Sequence, residues 1–114
     1  MQFTYNYSKL LVLLFALASA ATVLAQSNTP IWVDVRTASE FQAEHIDGAL
    51  NIEFGSIVQG LGQRKFALDT PIVLYCASGR RAGLAQQSLK DAGYTQVTNV
   101  GGLTQAQEVK AASK

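Results

Sequence analysis

The one cysteine of the sequence, Cys76, is followed by a glycine and two arginines. The segment reads Tyr75-Cys76-Ala77-Ser78-Gly79-Arg80-Arg81-Ala82-Gly83. A cysteine that cannot pair within its chain is buried and inert, forms an intermolecular bond, or is a reactive thiol. Inert cysteines sit in apolar surroundings, whereas nearby arginines favour the thiolate and lower the thiol pKa below the free value of about 8.5. The segment therefore predicts a reactive thiol at Cys76.

The elements around Cys76 predict how its sulfur is stabilised. Residues 72–75 form a continuous apolar run, typical of a parallel strand covered on both faces. Residues 82–92 fit a helix whose positive dipole end faces the loop. Gly79 allows the loop a conformation closed to other residues, so successive N–H groups can form an anion nest. A thiolate in such a nest can attack a phosphoester, a disulfide, or the outer sulfur of an anionic sulfur donor.

The remaining patterns predict strands that alternate with short helices. Strands are expected at residues 31–33, 49–52 and 96–100, and a terminal helix at residues 103–112. Thr37 and Glu40 fit a capping box that opens a short helix with Phe41 on its buried side. Residues 54–68 are less clear, since glycines interrupt a helical face formed by Ile57, Val58 and Leu61. This alternation indicates a parallel α/β sheet, in which ligands bind outside the carboxyl ends of the strands.

The helix predicted at residues 82–92 has an apolar or small-residue face. Its members are Leu84, Ala85, Ser88, Leu89 and Ala92, and Gly93 follows as the glycine that ends the helix.

The N-terminus, residues 1–25, resembles a signal peptide. Lys9 supplies a positive charge, residues 10–18 are apolar, and small residues follow with acceptable cleavage sites after Ala20 and Ala25. The alternative is an uncleaved anchor, but the apolar run is short for a bilayer span of about 20 residues. We therefore expect export, no stable membrane anchor, and a single domain at residues 26–114.

The composition excludes several kinds of partner. Nine Lys and Arg balance eight Asp and Glu, whereas nucleic-acid binding usually needs a clustered basic surface. One cysteine and one histidine make a zinc site improbable, and no cofactor is expected.

Four blocks of the sequence resemble the rhodanese family, above all its small periplasmic members of the phage-shock-protein E type. They are Trp-Val-Asp-Val-Arg at residues 32–36, the block at residues 44–52, the cysteine loop at residues 75–82, and the closing block at residues 92–103 with its Gly-Gly-Leu. Four blocks in order make a specific signal. The resemblance implies a three-layer α/β/α fold with a central, mostly parallel sheet of four to five short strands.

The resemblance also implies thiosulfate:acceptor sulfurtransferase activity in a periplasmic, monomeric protein. Cys76 would take the outer sulfur of thiosulfate as a persulfide and pass it to cyanide or a thiol. The donor would be bound by the loop residues Ala77, Ser78, Gly79, Arg80 and Arg81. Four residues separate Cys76 from Arg81, one fewer than in the related cell-cycle phosphatases. This spacing disfavours a phosphatase or an arsenate reductase, while a non-catalytic persulfide carrier remains the main alternative.

Other polar residues are interpreted as scaffold. We expect the loop amides and Arg81 to converge on the sulfur, whereas Arg80 either binds the donor or faces solvent. A Cys–His pair with His45 is conceivable, but the block containing His45 indicates a structural role. Asp34 and Arg36 are predicted to form an ion pair at the end of the first strand, and Glu40 to belong to the capping box.

Overall fold

The computed structural model describes residues 29–114, so the predicted signal peptide lies outside the described residues. In chain order the elements are β1 (Ile31–Asp34), α1 (Ala38–Ala43), β2 (Leu50–Asn51), a 3₁₀ helix (Phe54–Ser56), α2 (Ile57–Gln63), β3 (Ile72–Cys76), α3 (Arg80–Asp91), β4 (Val97–Gly102) and α4 (Leu103–Ala112). None of the helices within residues 29–114 is long and apolar enough to cross a membrane.

The sheet has four strands in the order β2-β1-β3-β4, and every neighbouring pair is parallel. Strand β3 is flanked on both sides, and its residues are almost all buried, as the continuous apolar run predicts. Asp34 at the end of β1 lies opposite Tyr75, and Cys76 at the end of β3 lies opposite Gly102 of β4. The predicted parallel α/β sheet is confirmed.

Two apolar clusters cover the two faces of this sheet. Successive strand residues point to opposite faces, so Val33 and Leu74 join one cluster while Trp32 and Tyr75 join the other. The first cluster includes Leu61 of α2 and Leu89 of α3. The second includes Ala106 of α4. Helices therefore lie on both faces, and the fold is the predicted three-layer α/β/α arrangement.

The buried face of α3 differs from the predicted one. Its buried residues are Ala82, Ala85 and Leu89. Leu84 is 52% exposed, and Ser88 and Ala92 are exposed as well. The helix begins two residues earlier than predicted, and it contacts the sheet through two alanines and one leucine at i, i+3 and i+7 spacing, which turns Leu84 outward. Of the helix face noted in the sequence, only Ala85 and Leu89 are buried.

The two short helices before β3 bury less than the sequence suggests. The capping box between Thr37 and Glu40 is present, but α1 has no fully buried residue and Phe41 is only partly buried. In α2, Ile57 and Leu61 face the core while Val58 is 39% exposed. The helix at residues 57–63 thus forms despite its glycines, because a four-residue spacing brings two large apolar side chains to the same face.

Candidate active site

Cys76 is the last residue of β3 and has no exposed surface. It belongs to the apolar cluster under α2 and α3. Strand β3 extends one residue beyond the apolar run at residues 72–75, so the cysteine lies within the core. Its burial alone does not make the cysteine inert, since the sulfur has polar contacts on its other side.

Backbone N–H groups of the following loop surround the sulfur. The amide of Gly79 donates to Sγ at 2.9 Å, and that of Ala82 does so at 3.5 Å. Burial raises the pKa of the Cys76 thiol, but hydrogen bonds from the backbone of Ala82, Ser78, Gly79 and Arg81 outweigh it, so the net effect is a lowered pKa. The arrangement stabilises a thiolate through backbone N–H groups.

Two glycines allow this loop to close around the sulfur. Gly79 has φ of 95°, in the left-handed region that favours glycine, and it is the N-cap residue directly before α3. A Cβ atom on Gly102 of β4 would collide with the carbonyl oxygen of Ala77. Strand β4 and the loop can therefore approach closely only because Gly102 has no side chain. The Gly-Gly pair of the closing block thus contacts the cysteine loop directly.

The two arginines have different surroundings. Arg80 is exposed, and its backbone N–H donates to Oγ of Ser78 at 3.4 Å. Arg81 forms two hydrogen bonds with the carboxylate of Glu40, at 2.8 and 3.0 Å. This pairing is the main cause of the raised pKa of Arg81, and the charge of Cys76 contributes less. The guanidinium of Arg81 is thus held by a carboxylate, a bidentate partner of matching geometry, whereas the sequence interpretation placed it beside the sulfur.

Glu40 therefore has a second contact that the sequence interpretation missed. Its carboxylate accepts from the Thr37 hydroxyl at 3.0 Å in the capping box and also holds Arg81 across the site. The hydrogen bond from Arg81 is the main reason why the pKa of Glu40 falls to about 2. The spacing of the capping box revealed only the local contact, because the partner lies 41 residues away in the chain.

The other polar residues of the first two blocks take scaffold positions. Asp34 and Arg36 form a buried ion pair at 2.7 Å, and Arg36 also donates to the Glu44 carbonyl. The predicted end-of-strand pair is therefore confirmed. His45 stacks on Phe41 with ring centroids 3.7 Å apart, and its Nδ1 lies 2.7 Å from the Phe41 carbonyl oxygen. These contacts tie His45 to the end of α1.

The metal-ligating side chains and the main groove of residues 29–114 can be compared with the position of the cysteine. Among residues 29–114, no three His, Cys, Asp or Glu side chains are grouped so that they could hold a metal ion. A groove of about 660 Å³ lies between the 3₁₀ helix, α2 and α3, where Phe54, Val58 and Leu84 are exposed. The residues lining this groove do not include those of the cysteine loop.

Comparisons with known proteins agree with this geometry. The family model described as "Rhodanese-like domain" matches residues 18–108. The thiosulfate sulfurtransferase PspE of Escherichia coli is 36% identical over 72 residues, which cover 63% of this chain and 69% of that protein. The thiosulfate sulfurtransferase GlpE of Shewanella oneidensis is 33% identical over 70 residues, covering 61% and 67%.

A similar solved structure is that of a rhodanese with anions from E. coli. It superimposes with a TM-score of 0.64 at 34% identity and covers 68% of this chain and 91% of that one. The match to the family model spans most of the sequence, including the whole sheet and the cysteine loop. The chain therefore belongs to the family of rhodanese-like domains.

Proposed function

We propose that the protein is a thiosulfate:acceptor sulfurtransferase in which Cys76 carries the transferred sulfur as a persulfide. The main observation in favour is the amide-lined sulfur, with the Gly79 N–H at 2.9 Å from Sγ. Preorganised N–H donors stabilise negative charge without reorganising during the reaction. Relatives named thiosulfate sulfurtransferases support the choice of donor.

The proposed first step transfers sulfur from thiosulfate to the cysteine. The Cys76 thiolate attacks the outer sulfur of thiosulfate, a bond forms between the two sulfurs, and the S–S bond of thiosulfate breaks. Sulfite leaves with the electron pair of that bond. The terminal sulfur of the resulting persulfide carries the negative charge, so the loop amides that held the thiolate can stabilise the product as well. No oxidant and no proton donor is required.

The second step returns the enzyme to its starting state. Cyanide or a thiolate attacks the terminal sulfur, the S–S bond of the persulfide breaks, and its electron pair returns to Cys76. Cyanide then leaves as thiocyanate, and a thiolate leaves as a persulfide. Within this scheme the loop residues Ala77, Ser78 and Gly79 surround the donor, and the exposed Arg80 lies where it can attract a dianion. Arg81 supplies positive charge that Glu40 partly balances.

Mass spectrometry of the purified protein after thiosulfate treatment, without reductant, tests the proposal. We expect a gain of about 32 Da on Cys76 that cyanide removes, since a persulfide is a reversible thiol cap. An unchanged mass in a protein whose thiol is shown to be free would contradict it. Turnover with thiosulfate and cyanide then separates an enzyme from a persulfide carrier, because a carrier would gain the sulfur and turn over at background rate.

We also propose that the protein is exported to the periplasm. The proposal rests on the charged start, apolar segment and small-residue exit of residues 1–25. N-terminal sequencing of protein recovered from an exporting host tests it, and we expect a chain that begins at Ala21 or Gln26. An intact Met1 in the membrane fraction would favour an anchor instead.

A further inference from the structure

Asn99 lies in β4, between the cysteine loop and the glycine pair, and both ends of its side-chain amide have backbone partners. Its Nδ2 donates to the carbonyl oxygen of Gly79 at 2.9 Å. Its Oδ1 accepts from the N–H of Gly101 at 2.9 Å. The orientation of the amide follows from these partners, because one is an acceptor and the other a donor. Asparagine is depleted in strands, so a partly buried asparagine here suggests a specific role.

The contact between Asn99 and Gly79 affects the Cys76 sulfur through the backbone of Gly79. The N–H of Gly79 donates to Sγ of Cys76, while its carbonyl accepts from Asn99 and from the N–H of Gly83. Fixing the carbonyl limits rotation of the Gly79 backbone, whose φ of 95° is one of several that glycine adopts easily. Without this restraint, the amide has more freedom to turn away from the sulfur.

The Gly101 contact fixes the other side of the same junction. Gly101 also has a left-handed φ of 100°. A Cβ atom on Gly79 would lie only 3.2 Å from Cα of Gly101, so the two backbones are in close contact. Two flexible residues thus meet at this point, and the Asn99 amide links them. Ordering two glycines costs backbone entropy, and the hydrogen bonds of Asn99 offset this cost.

We propose that Asn99 is a positioning residue of this site, whose amide holds Gly79 and Gly101 together so that the Gly79 N–H stays directed at the Cys76 sulfur. The inference rests on the proposed function for its effect on turnover, but not for its effect on the thiol. Asn99 touches neither donor nor acceptor in this scheme. It acts through the loop backbone, and removing it should weaken the anion site more than it weakens the fold.

The test compares Asn99→Ala with Gln86→Ala. Gln86 of α3 donates from Nε2 to the Val97 carbonyl at 2.9 Å, so its loss also removes an amide–carbonyl hydrogen bond to β4, but away from the sulfur. Cys76 is the only cysteine of the chain, so thiolate absorbance in the ultraviolet reports its titration. From the absorbance of each variant we subtract that of the same variant with the additional substitution Cys76→Ser. Thermal unfolding is measured alongside.

We expect Asn99→Ala to raise the thiol pKa by about one unit, which corresponds to losing part of a hydrogen bond to the charged form. Gln86→Ala should leave the titration unchanged at a similar cost in thermal stability. Sulfur transfer by Asn99→Ala should fall about tenfold at a pH below both the wild-type and the shifted pKa, in proportion to the lost thiolate. It should recover as the pH rises above the shifted pKa.

Asn99→Leu provides a second variant of similar shape that adds no charge. It can neither donate to Gly79 nor accept from Gly101, so we expect its thiol pKa to rise as well. If Asn99→Ala does not fold, Asn99→Leu decides. A titration that is identical in wild type, the folded Asn99 variant and Gln86→Ala would overturn the inference. A wild-type protein that forms no persulfide, yet shows these pKa differences, would contradict the proposed function and leave the role of Asn99 standing.

Discussion

The ends of β1 and β3 lie side by side in the sheet, yet they stabilise negative charge in different ways. At the end of β1, the buried carboxylate of Asp34 is paired with Arg36 through several hydrogen bonds. At the end of β3, the Cys76 sulfur receives only backbone N–H groups in the contacts that residues 29–114 show, and the nearby Arg81 guanidinium pairs with Glu40. The Asp34 carboxylate is stabilised by a contacting cation, and a thiolate at Cys76 is stabilised by backbone dipoles.

The difference indicates which end can react. A carboxylate held by a guanidinium in several hydrogen bonds has its lone pairs committed, which suits a scaffold. Backbone amides keep their protons and carry no net charge. They can therefore stabilise a thiolate and then a persulfide at nearly the same place. The polar pair at the end of β1 therefore suits a structural role, and the amide-lined sulfur on β3 suits the proposed sulfur transfer.

Tyr75 joins the two ends. Its ring lies under the Arg36 guanidinium, 5.7 Å from centroid to Cζ, and its hydroxyl accepts from the N–H of Ile46 at 3.0 Å. Burial is the main cause that raises the pKa of Tyr75 to about 12. The phenol therefore stays neutral at physiological pH and anchors the chain before β2. The residue next to the nucleophile is thus fixed by the scaffold of the first block.

The largest expected effect is the loss of sulfur transfer in Cys76→Ser. The serine oxygen occupies the same place and can accept from the same amides, but it is not ionised at neutral pH and forms no persulfide. We expect turnover with thiosulfate and cyanide at background, and a change in unfolding free energy of about 1 kcal/mol or less. Turnover at the wild-type rate in Cys76→Ser would show that the reaction does not take place at the end of β3.

The next largest effect concerns the end of β1. Arg36→Met leaves the buried Asp34 carboxylate without its cation, and removing one partner of a buried pair typically costs about 3–5 kcal/mol. Denaturant unfolding measures it. Arg64→Met is the control, since Arg64 is exposed and donates to the Gly60 carbonyl, and surface changes of this kind stay within about 0.5 kcal/mol. Equal losses in the two variants would show that the buried pair is not what stabilises this end.

Most of this comparison could be predicted from the sequence, and the rest depends on contacts between distant residues. The parallel sheet, the capping box, the Asp34–Arg36 pair and the position of Cys76 after a buried strand all follow from local patterns. The pairing of Arg81 with Glu40 and the contact of Asn99 with Gly79 join residues 41 and 20 positions apart. Such contacts depend on how the elements pack, which no local pattern specifies. The same holds for Leu84, whose exposure depends on the rotation of α3 against the sheet.

A smaller effect is expected for Arg81→Ala, which tests how far a side-chain charge adds to the amides. The charge of Arg81 and that of Cys76 interact, although Glu40 is the stronger partner. We expect the Cys76 pKa to rise by about one unit at most, and the kcat/KM for thiosulfate to fall about tenfold. Thiol alkylation rates against pH measure the first quantity, and steady-state turnover the second.

His45→Ala is the control for this experiment. Its ring stacks on Phe41 and its Nδ1 contacts the Phe41 carbonyl, so we expect lower stability and an unchanged thiol titration. A titration that is untouched in Arg81→Ala but shifted upward in His45→Ala would contradict the amide account, and a Cys–His pair would have to replace it.

The smallest expected effect is a pH dependence of stability that originates at the sulfur. The folded pKa of Cys76 is lowered, with burial opposing the backbone hydrogen bonds that lower it, whereas the unfolded thiol titrates near its free value of about 8.5. A group with a lowered folded pKa contributes stability that is fully present above the unfolded pKa and is lost as pH falls through the folded one. Thermal unfolding of wild type and Cys76→Ser at a series of pH values isolates this contribution, because the serine does not titrate there.

We expect the melting temperature of the wild type to rise relative to the variant as pH increases from neutral toward the unfolded pKa, and the difference to level off above it. A difference that stays constant over this range would mean that the folded and unfolded thiols share one pKa, and the amides around the sulfur would then stabilise the thiol no less than the thiolate.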